Sequence, residues 1–152
     1  MKAASRVVSI ALFTCALYGT ACSGVDDQRG SDARPSCVEH LNLNCSVLHD
    51  PPIYPTIYQT LIQPQCTLGS GCHSADGAMG GLVLANADDS YDALLGVKGG
   101  TKRVVPRNAA CSPLVVRLES RDPNFQMPPG SPLTAPELCD FVQWIQAGAQ
   151  KN

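Results

Sequence analysis

Cys66-Thr67-Leu68-Gly69-Ser70-Gly71-Cys72-His73 is the stretch on which the reading of this chain turns. A cysteine directly followed by a histidine, with a second cysteine upstream, is the arrangement that attaches c-type haem to protein. The thiols of Cys66 and Cys72 would form thioethers, and His73 would stand ready to ligate iron. The usual spacing is two residues, whereas five separate these cysteines. The excess must loop outward, and Gly69 and Gly71 suit such a loop because they tolerate positive φ. The same residues also fit a plain Cys66–Cys72 disulfide with His73 as an ordinary loop histidine. The motif alone leaves both readings open.

The ends of the chain set the chemical context. Lys2 and Arg6 followed by the apolar run from Val7 to Tyr18 form a signal segment too short to be a transmembrane helix. Small residues 19–21 lead into Cys22, the position lipidated in bacterial lipoproteins, so residues 1–21 read as a lipoprotein signal. Export places the chain in an oxidising cell envelope, outer membrane or periplasm-facing. Six cysteines then remain beyond Cys15 and Cys22, each expected to be bridged or bonded to a cofactor. Zinc is disfavoured there, with no second Cys/His cluster to complete a site. Without Lys2 and Arg6 the chain carries nine basic and thirteen acidic side chains, a net charge of −4. That balance argues against nucleic acid as a partner and leaves membrane attachment to the acyl anchor.

Residues 22–36 are small and polar, a flexible tether. Residues 37–53 are irregular, and Cys37 and Cys45 lie close enough in sequence for a local Cys37–Cys45 disulfide. The folded domain is expected over 54–150. Ile57, Tyr58, Leu61 and Ile62 have helical spacing, with Pro64 as the stop. Asp88 or Asp89 caps a second helix carrying Tyr91, Leu94 and Leu95, and Ser112-Pro113 opens a third. Thr134-Ala135-Pro136-Glu137 has the form of a capping box before Leu138, Phe141, Val142, Trp144 and Ile145. The fold class is therefore mainly α, a small helical domain with long loops. So thin a core calls for a cofactor or cross-links.

Met127 lies in Asn124-Phe125-Gln126-Met127-Pro128-Pro129-Gly130, read as a rigid extended loop. A thioether held there would serve as a sixth iron ligand opposite His73, or would simply fill a gap in the core. Met79 is the poorer candidate, being only six residues from His73. Arg103 and Arg107 are candidates to pair with carboxylates of a haem, His40 and His49 read as loop histidines, and Trp144 as core. No nucleophile elbow or phosphate-binding glycine loop is present to suggest a hydrolase or nucleotide enzyme.

The order of these pieces resembles the class I cytochrome c domain, closest to the planctomycete-type cytochrome c-like domains of secreted bacterial proteins. The matching segments are IQPQCTLGSGCHS, GGLVL, RVVP, SPLVVRLES, MPPG and LTAPELCDFVQWIQAGA. The resemblance implies one covalent haem c on Cys66 and Cys72, with His73 and Met127 as axial iron ligands. Cys111 and Cys139 lie outside the basic cytochrome pattern, and a Cys111–Cys139 disulfide would staple the third helix to the last. The function so implied is single-electron transfer to a redox partner protein, not catalysis. The alternative is a haemless, disulfide-stabilised cytochrome-like module with a binding or envelope-scaffolding role.

Overall fold

The computed structural model describes residues 35–69 and 72–152; the stretches read as a signal segment and, for the most part, as a tether, with Cys22, lie outside the described residues. The domain is built of four helices, with no strand among the described residues. Helix α1 spans residues 54–66, α2 Ala87–Leu95, α3 Pro113–Glu119 and α4 Ala135–Gln146. None is long and apolar enough to cross a membrane.

Pro64 does not end α1, contrary to the sequence expectation. A π-helical turn, Tyr58–Ile62, interrupts it, and Pro64 then falls in the first turn of the segment Gln63–Cys66. The Gln63 amide donates to the Tyr58 carbonyl across the widened turn. A proline near the start of a helical segment forfeits a donor that has little use there. The helix thereby runs on to deliver Cys66.

Asn86, rather than Asp88 or Asp89, caps α2; its side chain accepts from the Asp89 amide at 2.9 Å. The two aspartates occupy the first turn, where their charge favours the helix dipole. Gly96 closes α2 at φ +69°, and a Cβ there would come within 2.9 Å of the backbone of Gly100 and Lys102. Ser112 and Pro113 open α3 as expected, although the buried Ser112 hydroxyl bonds the Asn108 carbonyl at 2.8 Å rather than the helix end. The capping box of α4 forms, with Glu137 Oε2 accepting from the Thr134 amide and hydroxyl at 2.7 Å each.

Phe141, Val142, Trp144 and Ile145 of α4 are buried as the sequence implies, but Cys139 and Asp140 are buried too. Their cover is the lead-in segment, residues 37–53, which lies across the domain as a strap. Both expected disulfides are corrected by this path. Cys37 bonds Cys111 and Cys45 bonds Cys139, in place of Cys37–Cys45 and Cys111–Cys139. The Val38 amide on the Ala110 carbonyl, at 2.8 Å, sets Cys37 beside Cys111. Further along, the Leu48 and His49 amides donate to Asp140 Oδ1 at 2.8 and 3.1 Å, and His49 Nδ1 meets Asp140 Oδ2 at 2.6 Å. The segment is thus extended over two separate elements instead of folded on itself, which keeps its cysteines apart.

Closing loops of 74 and 94 residues, each bond restricts the unfolded chain by on the order of 4 kcal/mol in the chain-entropy account. Non-reducing peptide mapping should recover the 37–111 and 45–139 linkages, and Cys45→Ser should lower stability by roughly 2–5 kcal/mol. Asp140→Ala should cost about 3 kcal/mol in denaturant unfolding, because it strands two amides and a histidine beside a buried site.

Candidate functional site

Helix α1 ends at Thr67, whose hydroxyl donates to the Gln63 carbonyl at 2.6 Å. Cys66 therefore stands on the same helical end as Leu61 and Ile62, and its side chain lines an apolar cavity of about 20 Å³ with them, Leu84, Leu118 and Phe141. Past Thr67 the chain leaves the body of the domain. Leu68 is 64% exposed and Gly69 takes φ +65°. It returns through Cys72, and the His73 amide donates to the Cys66 carbonyl at 3.0 Å. The Ser74 hydroxyl donates to the Gly69 carbonyl at 3.0 Å, a second link between the two sides of the loop. The long spacing is thus absorbed by an outward loop whose two ends are pinned together. The positive φ of Gly69 is what the sequence leads one to expect, while Gly71, the other glycine so read, lies outside the described residues.

Cys66 and Cys72 are free thiols, whereas the four other cysteines of the described residues are paired. Burial pushes the Cys66 thiol up to about 11, with the neighbouring Cys72 adding to the effect. Cys66 is therefore a protonated, apolar-facing thiol at neutral pH, unlike an activated nucleophile.

His73 is half-buried and held on three sides. Its amide goes to Cys66, its carbonyl accepts from the Leu84 amide at 2.7 Å, and its Nδ1 lies 3.3 Å from the Leu82 carbonyl. A carbonyl can only accept, so Nδ1 carries the proton and Nε2 keeps its lone pair. That is the tautomer of an oriented metal-ligating imidazole. Burial holds His73 below the usual histidine range; hydrogen bonds to the Leu82 and Met79 carbonyls oppose this, and the charges of Arg103 and Arg117 reinforce it.

Met127 lies at a bend directly after a turn, rather than in an extended loop. The Phe125 and Gln126 amides both donate to the Asp122 carbonyl, at 2.9 and 2.7 Å, and Asp122 Oδ1 accepts from the Asn124 amide. This local bonding outweighs the extended preference of the following prolines. The Met127 amide donates to the Arg117 carbonyl at 3.0 Å, and its side chain packs partly buried against the core. Arg117 therefore borders both residues: its backbone holds Met127, and its charge acts on His73.

The remaining sequence candidates separate in space. Arg103 stays by the motif, with Nη2 donating to the Gly80 carbonyl at 3.1 Å. Arg107 turns to the end of α4, its amide on the Ile145 carbonyl at 2.8 Å. Arg117, unnoticed in the sequence, stacks over Phe125 at 4.5 Å. Met79 is 52% exposed. His40 and His49 belong to the strap, the latter fixed on Asp140. Trp144 is in the core against Tyr54 and Tyr91, its Nε1 donating to the Gln150 carbonyl at 2.8 Å. Among the described residues no group of three or more His, Cys, Asp or Glu gathers to hold a metal ion.

In the chain prepared without a cofactor, the lowered His73 contributes a stability that falls as pH drops below about 6.5, because the unfolded histidine takes up a proton that the folded one resists. The expected result is unfolding free energy that rises with pH up to that value, and a His73→Gln variant in which this part of the rise is lost.

Residues 70–131 match the family described as Planctomycete cytochrome C. The matched stretch contains Cys72, His73 and Met127 and begins just after Cys66. It is the family whose motif order the sequence resembles. No curated protein and no solved structure matches the chain.

Proposed function

We propose that this chain is an exported, lipid-anchored monohaem c-type cytochrome that carries single electrons in the cell envelope and is not itself a catalyst. The observation that carries the reading is that two free thiols and an oriented imidazole share one loop base, closed by the His73 amide on the Cys66 carbonyl, with Cys66 itself lining an apolar cavity. That donor set fits haem. Cys66 and Cys72 would hold it by thioethers, with His73 as one axial ligand and Met127 as the other. When bound, haem supplies an iron that cycles between ferrous and ferric forms.

The chain's own residues set the conditions. Leu61, Ile62, Leu84 and Phe141 exclude water from the cavity. The Leu82 carbonyl fixes the His73 tautomer, and the Arg117 carbonyl anchors the Met127 backbone. A histidine–methionine ligand pair favours a higher potential than two nitrogen ligands. Were His73 and Met127 both to hold the iron, no ligand position would remain for a substrate, as suits an electron carrier. Cys22 would carry the lipid, and the partner would be a redox protein of the same compartment.

A second reading, a haemless module with a binding or scaffolding role, is favoured by one observation. Two long-range disulfides and a buried Asp140 already close the core around a cavity of only about 20 Å³.

Maturation of the full chain in cells with c-type haem machinery separates the two. The expected result is a Soret band that stays with the denatured chain, and a Met127→Ala variant with an altered iron spectrum. A colourless protein would overturn the cytochrome reading, and an unchanged Met127→Ala spectrum would remove Met127 from the iron.

A further inference from the structure

With five residues between the cysteines, Cys66 cannot take its position from a tight turn shared with Cys72. Its place depends on the last turn of α1, Gln63–Cys66, a four-residue segment. Besides the packing of Cys66 and its carbonyl bond to the His73 amide, one side-chain hydrogen bond ties that turn to α4. Gln65 Nε2 donates to Glu137 Oε1 at 2.9 Å, a part-buried contact across 72 residues of sequence.

Glu137 divides its carboxylate between two tasks. Oε2 closes the capping box of α4 through Thr134, while Oε1 receives Gln65. Burial alone would raise the Glu137 carboxyl, but the bonds from Thr134 and Gln65 outweigh it and hold the group below its usual range. The Gln65 contact is therefore charge-assisted at neutral pH. It is also referred to a rigid frame, since α4 is fixed two and three residues later by the Cys45–Cys139 bond and by Asp140. One turn beyond Glu137, on the same side of the helix, Phe141 lines the cavity into which Cys66 faces.

We propose that Gln65, acting through Glu137, is a positioning residue that holds the Cys66 thiol at the cavity for haem attachment. The inference rests on the cytochrome reading above, which it deepens. A contact that merely stabilised the fold would affect both attachment cysteines alike, whereas this clamp acts first on the turn that carries Cys66.

The test uses the full chain matured with c-type haem machinery, then denatured and treated with iodoacetamide without reductant. Peptide masses report which thiols stayed free. In the wild type and in Gln65→Lys, which keeps a donor facing Glu137, both thiols should be blocked. In Gln65→Ala, free Cys66 should rise about tenfold, the scale of one lost charge-assisted hydrogen bond, with Cys72 still blocked. Equal blocking of Cys66 in Gln65→Ala and wild type overturns the proposal, as does equal release of both cysteines. Should Gln65→Ala fail to fold, Glu137→Gln keeps the cap acceptor and weakens the clamp, and the same selective release of Cys66 is expected.

A wild type that takes no haem overturns the cytochrome reading and with it the attachment role. The clamp itself is then read in the native haem-free chain. Alkylation of Cys66 should run about tenfold faster in Gln65→Ala with Cys72 unchanged, and no acceleration shows that Gln65 does not hold this thiol.

Discussion

Asp140 has no exposed surface, although it falls outside the Leu138, Phe141, Val142 and Ile145 spacing of α4, where a carboxylate would ordinarily face water. It is tolerated because the strap brings it two amides and an imidazole. A buried charge with those partners is satisfied; without them it would be severely destabilising. The strap is therefore bound to the helix by a requirement of electrostatics as well as by the adjacent Cys45–Cys139 bond. With α4 fixed in this way the helix organises the core, where Trp144, one turn beyond Asp140, meets Tyr54 and Tyr91 while Phe141 borders the cavity.

The site is a product of that frame. α1 is kept going past Pro64 by a π turn, so its end can present Cys66 beside Phe141 of α4. From there one backbone bond, His73 amide to Cys66 carbonyl, turns a long and irregular spacing into a closed loop. The Gly80–Gly81 turn then returns the chain so that Leu82 and Leu84 grip His73 from its other side. The contacts that fix this loop fall at its base, on its two ends.

Much of this was legible locally. The capped α4, the Ser112-Pro113 start and the outward loop at Gly69 each follow from interactions within a few residues, and sequence reading found them. The errors were also local in kind. Pro64 was read as a stop because an α-helical hydrogen-bond register was assumed, and the Met127 loop as extended because its prolines were weighed above Asp122. Arg117 and the Gln65–Glu137 bond carried no signal at all, since nothing in a sequence marks which polar side chains will meet across 72 positions.

The cysteines divide the two kinds of knowledge most clearly. Sequence by itself determined a mainly helical domain, a Cys-His motif of cytochrome type, and which residues are chemically able to serve as thioether or ligand donors. Those properties belong to residue type and to short-range spacing. Pairing does not, because a disulfide joins whichever thiols the folded chain brings together. Only the tertiary structure decided that Cys37 and Cys45 reach past each other to Cys111 and Cys139, leaving Cys66 and Cys72 as the free thiols among the described residues. The reason is the course of the strap, drawn across α4 by Asp140 and the amides that only a folded chain can place there.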